Sequence, residues 1–455
     1  MRRATSVRGE IESALGVDLF AEVTGDERLP SCFEVSELLS ASVAAVASAA
    51  SSLVEAVGLA SSPPPVCVHQ RLVSLWSGRS IHPVGWELPP IWDAVAGDYR
   101  TRDGWIKLHT NLAHHRRAAL LVLGVAPDRG LVARAVADWD AEALETAIVD
   151  ANGVAAAMRS RDEWLRHPQG VAVATEPLIA WDAGRPGSLR SWGGTRDRPL
   201  AGLRVLDLTR VIAGPVATRT LAGLGATVLR IDPPDWEEAN VVPDVTLGKR
   251  CAHLQLDTSE GKASLERLLA DADVLVHGYR PGALDGLGLG AEARQRLNPH
   301  LIEATLDAYG WTGPWAGRRG FDSLVQMSCG IAEAGMTWSS RTEPTPLPVQ
   351  ALDHATGYLM AAATLAALCK GARGNGIGSA RLSLARTGDL LARHPATITG
   401  TLGLRPEQAD LSPITERTPW GDGRRLRPPF DVQGTTIAWD SPATELGATQ
   451  ATWSD

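Results

Sequence analysis

The chain has 455 residues, of which 44% are hydrophobic and 21% are charged, and its formal net charge at pH 7 is −8. This length predicts two or three domains with ample core, and the composition is ordinary for a soluble globular protein. The acidic balance, without a block of Lys and Arg, argues against nucleic acid as a partner.

The cysteines and the apolar stretches indicate a cytoplasmic protein without a membrane span. Five cysteines are scattered without a CxxC pair, which fits reduced thiols better than a disulfide framework or a zinc site. The N-terminal residues MRRATSVRGEIES lack the apolar core of a secretion signal. The most apolar stretch, residues 41–60, is dominated by Ala and Ser and contains Glu55, so we expect a packed helix there.

The first 181 residues predict a mixture of helices and short strands. Helices are expected over residues 34–59, 112–124, 130–151 and 160–170, the last of which ends at His167-Pro168. The other predicted elements are a strand running into a helix over 66–76, a hairpin over 97–111 with its turn at Asp103-Gly104, and a short strand region over 171–181. The Gly-rich and charged residues 182–198 predict a linker.

From residue 199 the pattern changes to strands that alternate with helices. Strands are expected over residues 203–208, 226–232, 253–257, 273–279 and 301–310. The first two, with a Gly214-Pro215 turn and a helix between them, form a βαβ unit. We therefore expect an open, doubly wound, mostly parallel α/β sheet, a Rossmann-like large domain over residues 199–395, followed by a C-terminal tail over 396–455 that packs on it.

A weak internal repeat links the two parts of the chain. Residues 36–76 and 357–391 both read as an Ala-rich helix followed by a strand and a second helix. The first copy has no Asp in the place of Asp353, and Phe33-Glu34 falls near that place. If the repeat is real, the first copy lacks the candidate nucleophile described next.

Asp353 precedes the long, apolar helix YLMAAATLAAL and is the candidate catalytic residue. Such an Asp is commonly a helix cap. The same position also favours an ionised carboxylate, which can attack a thioester carbonyl. His354 follows it, but adjacent residues on a helix face different directions, so we interpret His354 as a bystander.

Basic residues around the βαβ unit, namely Arg210, Arg230, Lys249 and Arg250, are candidate phosphate ligands. The unit lacks G-x-G-x-x-G, so a nicotinamide or flavin site is poorly supported. Helix N-termini and basic side chains could instead hold another nucleotide, such as the ADP part of coenzyme A, although each residue singly could be a solvated surface group.

Three further features of the sequence allow a structural interpretation. The loop over residues 278–290 is equally well interpreted as a ligand loop or as a tight connection. Asp322 is interpreted as a helix cap. The histidines show no metal-binding spacing.

Four stretches of the chain resemble the family III CoA transferases in order and spacing, namely residues 199–232, 247–290, 297–330 and 352–368. The resemblance implies that Asp353 attacks an acyl-CoA to give an acyl-aspartyl anhydride and then an aspartyl-CoA thioester, from which a carboxylic acid acceptor takes the CoA. It places the turn containing Arg210, Val211 and Ala213, together with Tyr279 and Tyr309, against CoA. It further implies no tightly bound cofactor, acyl-CoA and a carboxylic acid as partners, and a homodimer.

The chain also departs from that family. Residues 97–111 and 159–179 resemble its small domain, which normally follows the nucleophile helix, so residues 1–181 indicate a permutation or, as the repeat favours, a fusion of truncated copies. Ile212 and Gly286 replace a Gln and an Arg of the formyl-CoA enzyme, which argues against formyl or oxalyl substrates. Phe321 replaces the catalytic His of the racemase subgroup, so racemisation is less expected.

Three functions therefore remain as hypotheses. The first is a CoA transferase, the second is an acyl-CoA racemase or isomerase, and the third is a non-catalytic CoA-binding subunit. A pocket that Asp353 shares with the 210–215 turn and the N-terminal region would favour catalysis, whereas a sealed core around Asp353 would exclude it.

Overall fold

The computed structural model describes residues 6–397, Gly400 and residues 403–453. Residues 1–5, 398–399, 401–402 and 454–455, parts of the predicted N-terminal region and C-terminal tail, lie outside the described residues. The first part of the chain contains α1 (Val7–Leu15), β1 (Glu22–Thr24), α2 (Val35–Ala56), β2 (Val66–His69), α3 (Gln70–Trp76), β3 (Ile81–Pro83), β4 (Gly97–Arg100), β5 (Trp105–Leu108), α4 (Ala113–Leu123), α5 (Arg129–Ala137), α6 (Ala141–Asp150), β6 (Ala155–Ala157), α7 (Arg161–Arg166), α8 (Pro168–Thr175) and β7 (Ala180–Trp181).

The second part alternates strands and helices before a short β-rich C-terminal region. Its elements are β8 (Arg204–Leu208), α9 (Ala213–Gly223), β9 (Thr227–Asp232), α10 (Val242–Val245), β10 (Lys249–His253), α11 (Ser259–Asp271), β11 (Val274–His277), α12 (Ala283–Gly286), α13 (Ala291–Leu297), β12 (Ile302–Asp307), α14 (Asp322–Ser328), α15 (Ile331–Trp338), α16 (Ala351–Ala372), β13 (Ala380–Ser383), α17 (Leu384–Ala392), β14 (Leu411–Thr418), β15 (Gly421–Leu426) and β16 (Phe430–Val432).

A seven-stranded sheet organises the second part, in the order β10-β9-β8-β11-β12-β13-β7. Six strands are parallel and β7 is antiparallel to β13, so the predicted mostly parallel α/β sheet is confirmed. Alternate residues of β8 face opposite sides: Val205 joins the core with Val216 of α9, and Leu206 joins the core with Leu265 of α11. Both faces of the sheet are therefore covered by helices, which explains why Val274, Leu275 and Val276 of the central strand β11 are all apolar and buried.

The order of the strands creates a switch point between β8 and β11. The chain runs from β8 outward through β9 to β10, and then returns to add β11 on the other side of β8. The loops that leave β8 and β11 diverge to opposite sides and open a crevice at the carboxyl ends of the strands. Open α/β sheets bind their ligands in this crevice.

The predicted repeat is visible in the long helices α2 and α16. Each has 22 residues and is followed by a short strand and a helix, and the two helices pack against each other. Their N-cap residues, Glu34 and Gln350, have nearly the same backbone angles. The third residue of α2 is Glu37, as Asp353 is the third of α16, so Glu37 and not Phe33-Glu34 occupies the matching position.

Helix α2 is also the long apolar stretch seen in the sequence. By length and composition it could cross a membrane, but 94% of its most apolar stretch is buried inside the protein. It is therefore the packed helix that the sequence predicts.

The two parts of the chain exchange short strands. β7 ends the first part and pairs with β13, the strand that follows α16. Reciprocally, β16 near the C-terminus pairs with β2, the strand that follows α2, and β15 pairs with β3. The C-terminal region therefore packs on the first part of the chain through β15 and β16.

Three predicted elements are placed differently by the structure. The strand expected over 253–257 lies at β10, because its partner β9 ends at Asp232, which pairs with His253 and leaves nothing for later residues to pair with. Residues 171–175 are helical and not extended, because Pro168 opens α8 and the His167 side chain caps it. The helix expected over 130–151 is two helices, α5 and α6.

Gly357 sets the distance between α16 and α9. A Cβ at Gly357 would lie 2.3 Å from the carbonyl oxygen of Ala213 and 2.9 Å from Cβ of Val216. Only a glycine therefore allows the helices to approach this closely, and Asp353 lies one turn earlier on α16.

We predict that Gly357→Ala lowers the free energy of unfolding by about 1–3 kcal/mol, because the added methyl group forces α16 away from α9. Chemical denaturation measures the change. The control is Gly286→Ala in α12, where a Cβ meets nothing within 4 Å, so that stability should be equal or slightly higher. Equal stability of the two variants would contradict the packing role of Gly357.

Candidate functional site

Two cavities meet at Asp353. The first, here the switch-point cavity, has a volume of about 500 Å³ and lies at the carboxyl ends of β8, β11 and β12. The second, here the acyl-side chamber, has a volume of about 350 Å³ and is lined by residues of the first part of the chain together with the start of α10 and the loop before it. Asp353, Phe321, Leu112, Val211 and Ile212 line both. Asp353 is therefore accessible from two sides and is not sealed in a core.

Asp322 fixes the start of the helix that carries Asp353. The backbone N–H of Asp353 donates to Oδ2 of Asp322 at 2.8 Å, and the Gln326 side chain donates to the other oxygen. The N-cap of α16, Gln350, makes no side-chain capping hydrogen bond. Asp322 is thus a helix cap, as predicted, but it caps α16 and not the helix α14 that it begins.

The carboxylate of Asp353 is held in an unfavourable environment. Asp353 is 7% exposed, and its carboxylate oxygens accept no hydrogen bond from the residues that the structure describes. Burial, and then the negative charge of Asp322, raise its pKa well above the usual range. Burial also raises the pKa of Asp322 to about 6. A buried carboxylate without partners costs stability, so such a group marks a candidate functional site.

The turn before α9 carries backbone strain beside Asp353. Val211 has φ of 66°, a left-handed conformation that is rare for a β-branched residue. Its N–H donates to the Glu238 carboxylate at 2.9 Å, which holds the conformation in place. Helix α9 then begins at Ala213 without a side-chain cap, so its first N–H groups are available to a ligand.

A cation and two aromatic rings form one wall of the switch-point cavity. The guanidinium carbon of Arg210 lies 4.3 Å from the ring centroid of Trp236 and 5.5 Å from that of Tyr279. Arg210 also lies 3.4 Å from the buried carboxylate of Asp232. The flat faces of this wall suit a purine or another planar group.

A second edge of the same cavity is cationic. Arg280 follows β11 and Arg319 precedes Phe321, and within the described part of the chain neither forms an ion pair with a carboxylate. Burial and the charge of Arg280 lower the pKa of Arg319, and burial and the charge of Arg319 lower the pKa of His114 nearby. Mutual repulsion between cations that lack counter-charges is typical of an anion site.

The acyl-side chamber is walled by stacked rings. The rings of His109 and Phe321 stack with centroids 3.9 Å apart, and Trp92 meets His109 edge-on at 5.5 Å. Burial lowers the pKa of His109 to about 3, so its imidazole is neutral at physiological pH. The wall beside Asp353 is therefore uncharged and largely apolar.

The structure brings some of the sequence-predicted residues to this site and leaves others out. Asp353, Arg210, Val211, Ala213 and Tyr279 line the switch-point cavity. The predictions of Arg230, Lys249 and Tyr309 as CoA contacts are not supported, because each is buried away from the two cavities: Arg230 pairs with Asp232 and Glu238, Lys249 pairs with Asp207 at 2.9 Å, and the hydroxyl of Tyr309 meets Ser328. Arg250 is not among the residues that line either cavity.

Sequence reasoning missed the cations and the rings that complete the site. Arg280 and Arg319 each lie in a Gly-rich loop, and neither belongs to a cluster of basic residues that would indicate an anion site from the sequence alone. Trp92 and His109 come from the first part of the chain, more than two hundred positions before Asp353. No local pattern in the sequence joins these segments, so their meeting is evident only in the fold.

We predict that Asp353→Asn raises the melting temperature at pH 8 by about 2 °C or more. A carboxyl group whose pKa is raised in the folded state favours folding below its ordinary pKa of about 3.9, and this contribution is lost as the pH rises through the raised value. The gain should therefore shrink as the pH falls towards 4, which a series of thermal melts would measure. Asp440→Asn, which removes an exposed partner of Arg198, should leave the melting temperature equal or lower. A lower melting temperature for Asp353→Asn at pH 8 would contradict the argument.

Comparison with known proteins agrees with this geometry. Residues 200–401 match the model of CoA-transferase family III. The "Probable fatty acyl-CoA transferase Rv3272" of Mycobacterium tuberculosis (strain ATCC 25618 / H37Rv) is 38% identical over 188 residues, which are 38% of this chain and 46% of that protein. The succinyl-CoA:glutarate CoA-transferase of Mus musculus is 33% identical over 184 residues, 38% of this chain and 42% of the relative. The formyl-CoA:oxalate CoA-transferase of Escherichia coli O81 (strain ED1a) is 32% identical over 184 residues, 37% of this chain and 44% of the relative.

This chain thus spans less than half of the length of each of these relatives. The matched region holds the parallel strands β8–β13, the loops at the switch point and Asp353. Over residues 200–401, the part that carries the candidate site, the chain is therefore similar to CoA-transferase family III.

Proposed function

We propose that the chain is a CoA transferase that moves CoA from an acyl-CoA thioester to a carboxylic acid. The observation that carries this proposal is the position of Asp353, a desolvated carboxylate that lies between a cationic, aromatic cavity and a chamber that is walled in part by aromatic rings. Its partners are an acyl-CoA and an acid, and CoA is a substrate rather than a tightly bound cofactor. We further propose, as the sequence predicts, that it acts in the cytoplasm.

The cationic cavity would hold the coenzyme. Arg280 and Arg319 would face the phosphates, whose negative charge replaces the missing counter-charges. The rings of Trp236 and Tyr279 would lie against the planar base. The thioester would then reach Asp353 from this side, with its acyl group in the acyl-side chamber.

The chemistry would proceed by covalent catalysis at Asp353. A carboxylate oxygen attacks the thioester carbonyl, the C–S bond breaks, and the CoA thiolate leaves an acyl-aspartyl anhydride. The thiolate then attacks the aspartyl carbonyl carbon, releases the acyl carboxylate and forms an aspartyl-CoA thioester. An acceptor carboxylate repeats these two steps in reverse, and Asp353 is regenerated without net transfer of a proton.

Burial of Asp353 would favour the first step. A carboxylate that lacks hydrogen-bond donors and water is a stronger nucleophile than a solvated one, and its raised pKa expresses the same property. The N-terminal turn of α16 counteracts part of this cost, because the positive end of a helix favours the ionised form of a carboxylate.

Racemisation of an acyl-CoA is the second candidate function. The contact between His109 and Phe321 decides whether a base is available for it. Phe321 replaces the histidine of the racemase subgroup, but His109 stacks directly on Phe321 and lines the same chamber. Its pKa of about 3 makes the imidazole a poor base for a carbon acid. We therefore retain CoA transfer as the proposed reaction.

The first part of the chain would complete the site. We propose that residues 97–111 and 159–179 correspond to the small domain of the family, placed before the large domain, and that the chain arose by fusion of two truncated copies. The support for this is that α2 and α16 match in length and N-cap geometry, and that the cavities at Asp353 are lined by His109, Asn111, Leu112, His114 and His115. The homodimer predicted from the sequence remains a proposal.

We predict that hydroxylamine traps an activated aspartyl group during incubation with acyl-CoA donors. Peptide mass spectrometry should find a hydroxamate at Asp353, and Asp353→Asn should reduce transfer by at least about 1,000-fold while CoA still binds. Asp322→Asn is the control for specificity, because it removes the neighbouring carboxyl group. In the native protein, the peptide that contains Asp322 should carry no hydroxamate. Measurable CoA binding without any adduct would favour the racemase or the non-catalytic subunit.

We predict that Arg280→Gln and Arg319→Gln each weaken CoA binding by roughly tenfold, because each removes a charge-assisted contact with phosphate. Isothermal titration with CoA at two salt concentrations measures both the affinity and its dependence on ionic strength. The matched control is Arg267→Gln, which removes an exposed arginine of α11 that is remote from the cavity lining. Unchanged affinity in both cavity variants would place the phosphates elsewhere.

A further inference from the structure

We infer that the acyl group accepted by Asp353 is uncharged, apolar and of medium or greater length, and that short acyl groups ending in a second carboxylate are excluded. This inference rests on the proposed function and specifies its substrate class. It is carried by the charge and shape of the acyl-side chamber, which holds the acyl group in the mechanism above.

The chamber contains acidic side chains and, within the described part of the chain, no Lys or Arg in its lining. Its carboxylates, in addition to Asp353, are those of Asp93, Glu237, Glu238 and Asp322. A second carboxylate on the acyl group would enter this chamber without a cation to meet it. Burying an unpaired charge beside like charges is strongly unfavourable.

The ion pairs that these carboxylates form do not make the lining of the chamber positive. Asp93 pairs with Arg116 at 2.5 Å and Glu238 pairs with Arg230, so these two are neutralised from outside the chamber. Glu237 is exposed and forms no ion pair with the residues that the structure describes. The net charge facing an acyl group is therefore negative or zero, and it is nowhere positive.

The shape of the chamber allows a chain longer than a few carbons. Ile91, Trp92, Ile212 and Val241 line both the chamber and a third cavity of about 670 Å³. The third cavity continues along the apolar residues 346–349 before α16. A long acyl chain can therefore extend from Asp353 past Trp92 along the apolar residues of this third cavity.

Cations occur in this third cavity but not in the chamber beside Asp353. Lys107 pairs with Asp98 at 2.9 Å, and Arg219 is buried against Asp244. Arg79 and Arg129 donate to backbone carbonyl groups. These four cations line the third cavity and not the chamber, and each already has an acceptor within the protein.

The side chains of Trp92 and Ile91 are exposed where the acyl-side chamber meets the third cavity. Trp92 is 38% exposed and Ile91 is 50% exposed, although both line the chamber that Asp353 also lines. The Trp92 ring contacts His109 on one side and lies 5.3 Å from the Lys107 ammonium. An acyl chain would cover these exposed faces, and each methylene that it buries should improve binding about fourfold.

The test measures the initial rate of Asp353-dependent hydroxamate formation with acetyl-CoA, octanoyl-CoA and succinyl-CoA, which requires no acceptor acid. The expected order of kcat/KM is octanoyl, then acetyl, then succinyl, with octanoyl-CoA at least about 100-fold above succinyl-CoA. Equal or faster reaction with succinyl-CoA would overturn the inference and leave the proposed function standing. Absence of an Asp353-dependent reaction with all three donors would instead overturn the proposed function.

Two variants locate the specificity. Trp92→Ala should reduce the ratio of octanoyl to acetyl rates by about tenfold, because the chain loses its wall. The control is Trp338→Ala, whose tryptophan is 43% exposed on α15 and lines neither the chamber nor the switch-point cavity. Glu237→Arg supplies a cation at an exposed position and should raise the succinyl rate without raising the octanoyl rate. An unchanged donor ratio in both Trp92→Ala and Glu237→Arg would overturn the inference.

Discussion

The close contact between α16 and α9 at Gly357 is the feature on which the candidate site depends. The backbone of Ala213 and the side chain of Val216 occupy the space that any larger residue would need. This contact brings the first turn of α16 to the first turn of α9, so that two positive helix ends lie near one carboxylate. The position of Asp353 beside the start of α9 then follows from helix geometry, because Asp353 is one turn from Gly357.

Buried ion pairs hold the rest of this arrangement in register. Arg230 binds Asp232 and Glu238, and Glu238 in turn accepts the N–H of the strained residue Val211. Lys249 binds Asp207 at the end of β8 in the same way. Such pairs add little net stability compared with apolar packing, because both charges lose their water. Their contribution here is geometric: they keep the turn between β8 and α9 in a single conformation.

The sequence indicates the sheet and the nucleophile because both depend on local patterns. Strands that alternate with helices predict the parallel sheet, and Asp353 stands in a recognisable run before an apolar helix. Arg230 and Lys249 show the limit of such reasoning, because Glu238 of a loop and Asp207 of β8, which help to neutralise them, are not their neighbours in a local pattern. Trp92 shows the same limit. Its segment directly follows Pro89-Pro90 and is predicted to be a connection, and its place beside Asp353 depends on how the two parts of the chain pack.

The exchange of β7 and β16 between the two parts has a consequence for how the chain folds. The side chains of His69 on β2 and Asp431 on β16 form a hydrogen bond across 362 positions, so the edge of the first sheet closes only after nearly the whole chain has been synthesised. Contacts of such high sequence separation slow folding, and until they form the edge of β2 can pair with other chains. On the ribosome, the first part therefore emerges as an incomplete folding unit, whose sheet is completed only when the C-terminal strand β16 has been synthesised.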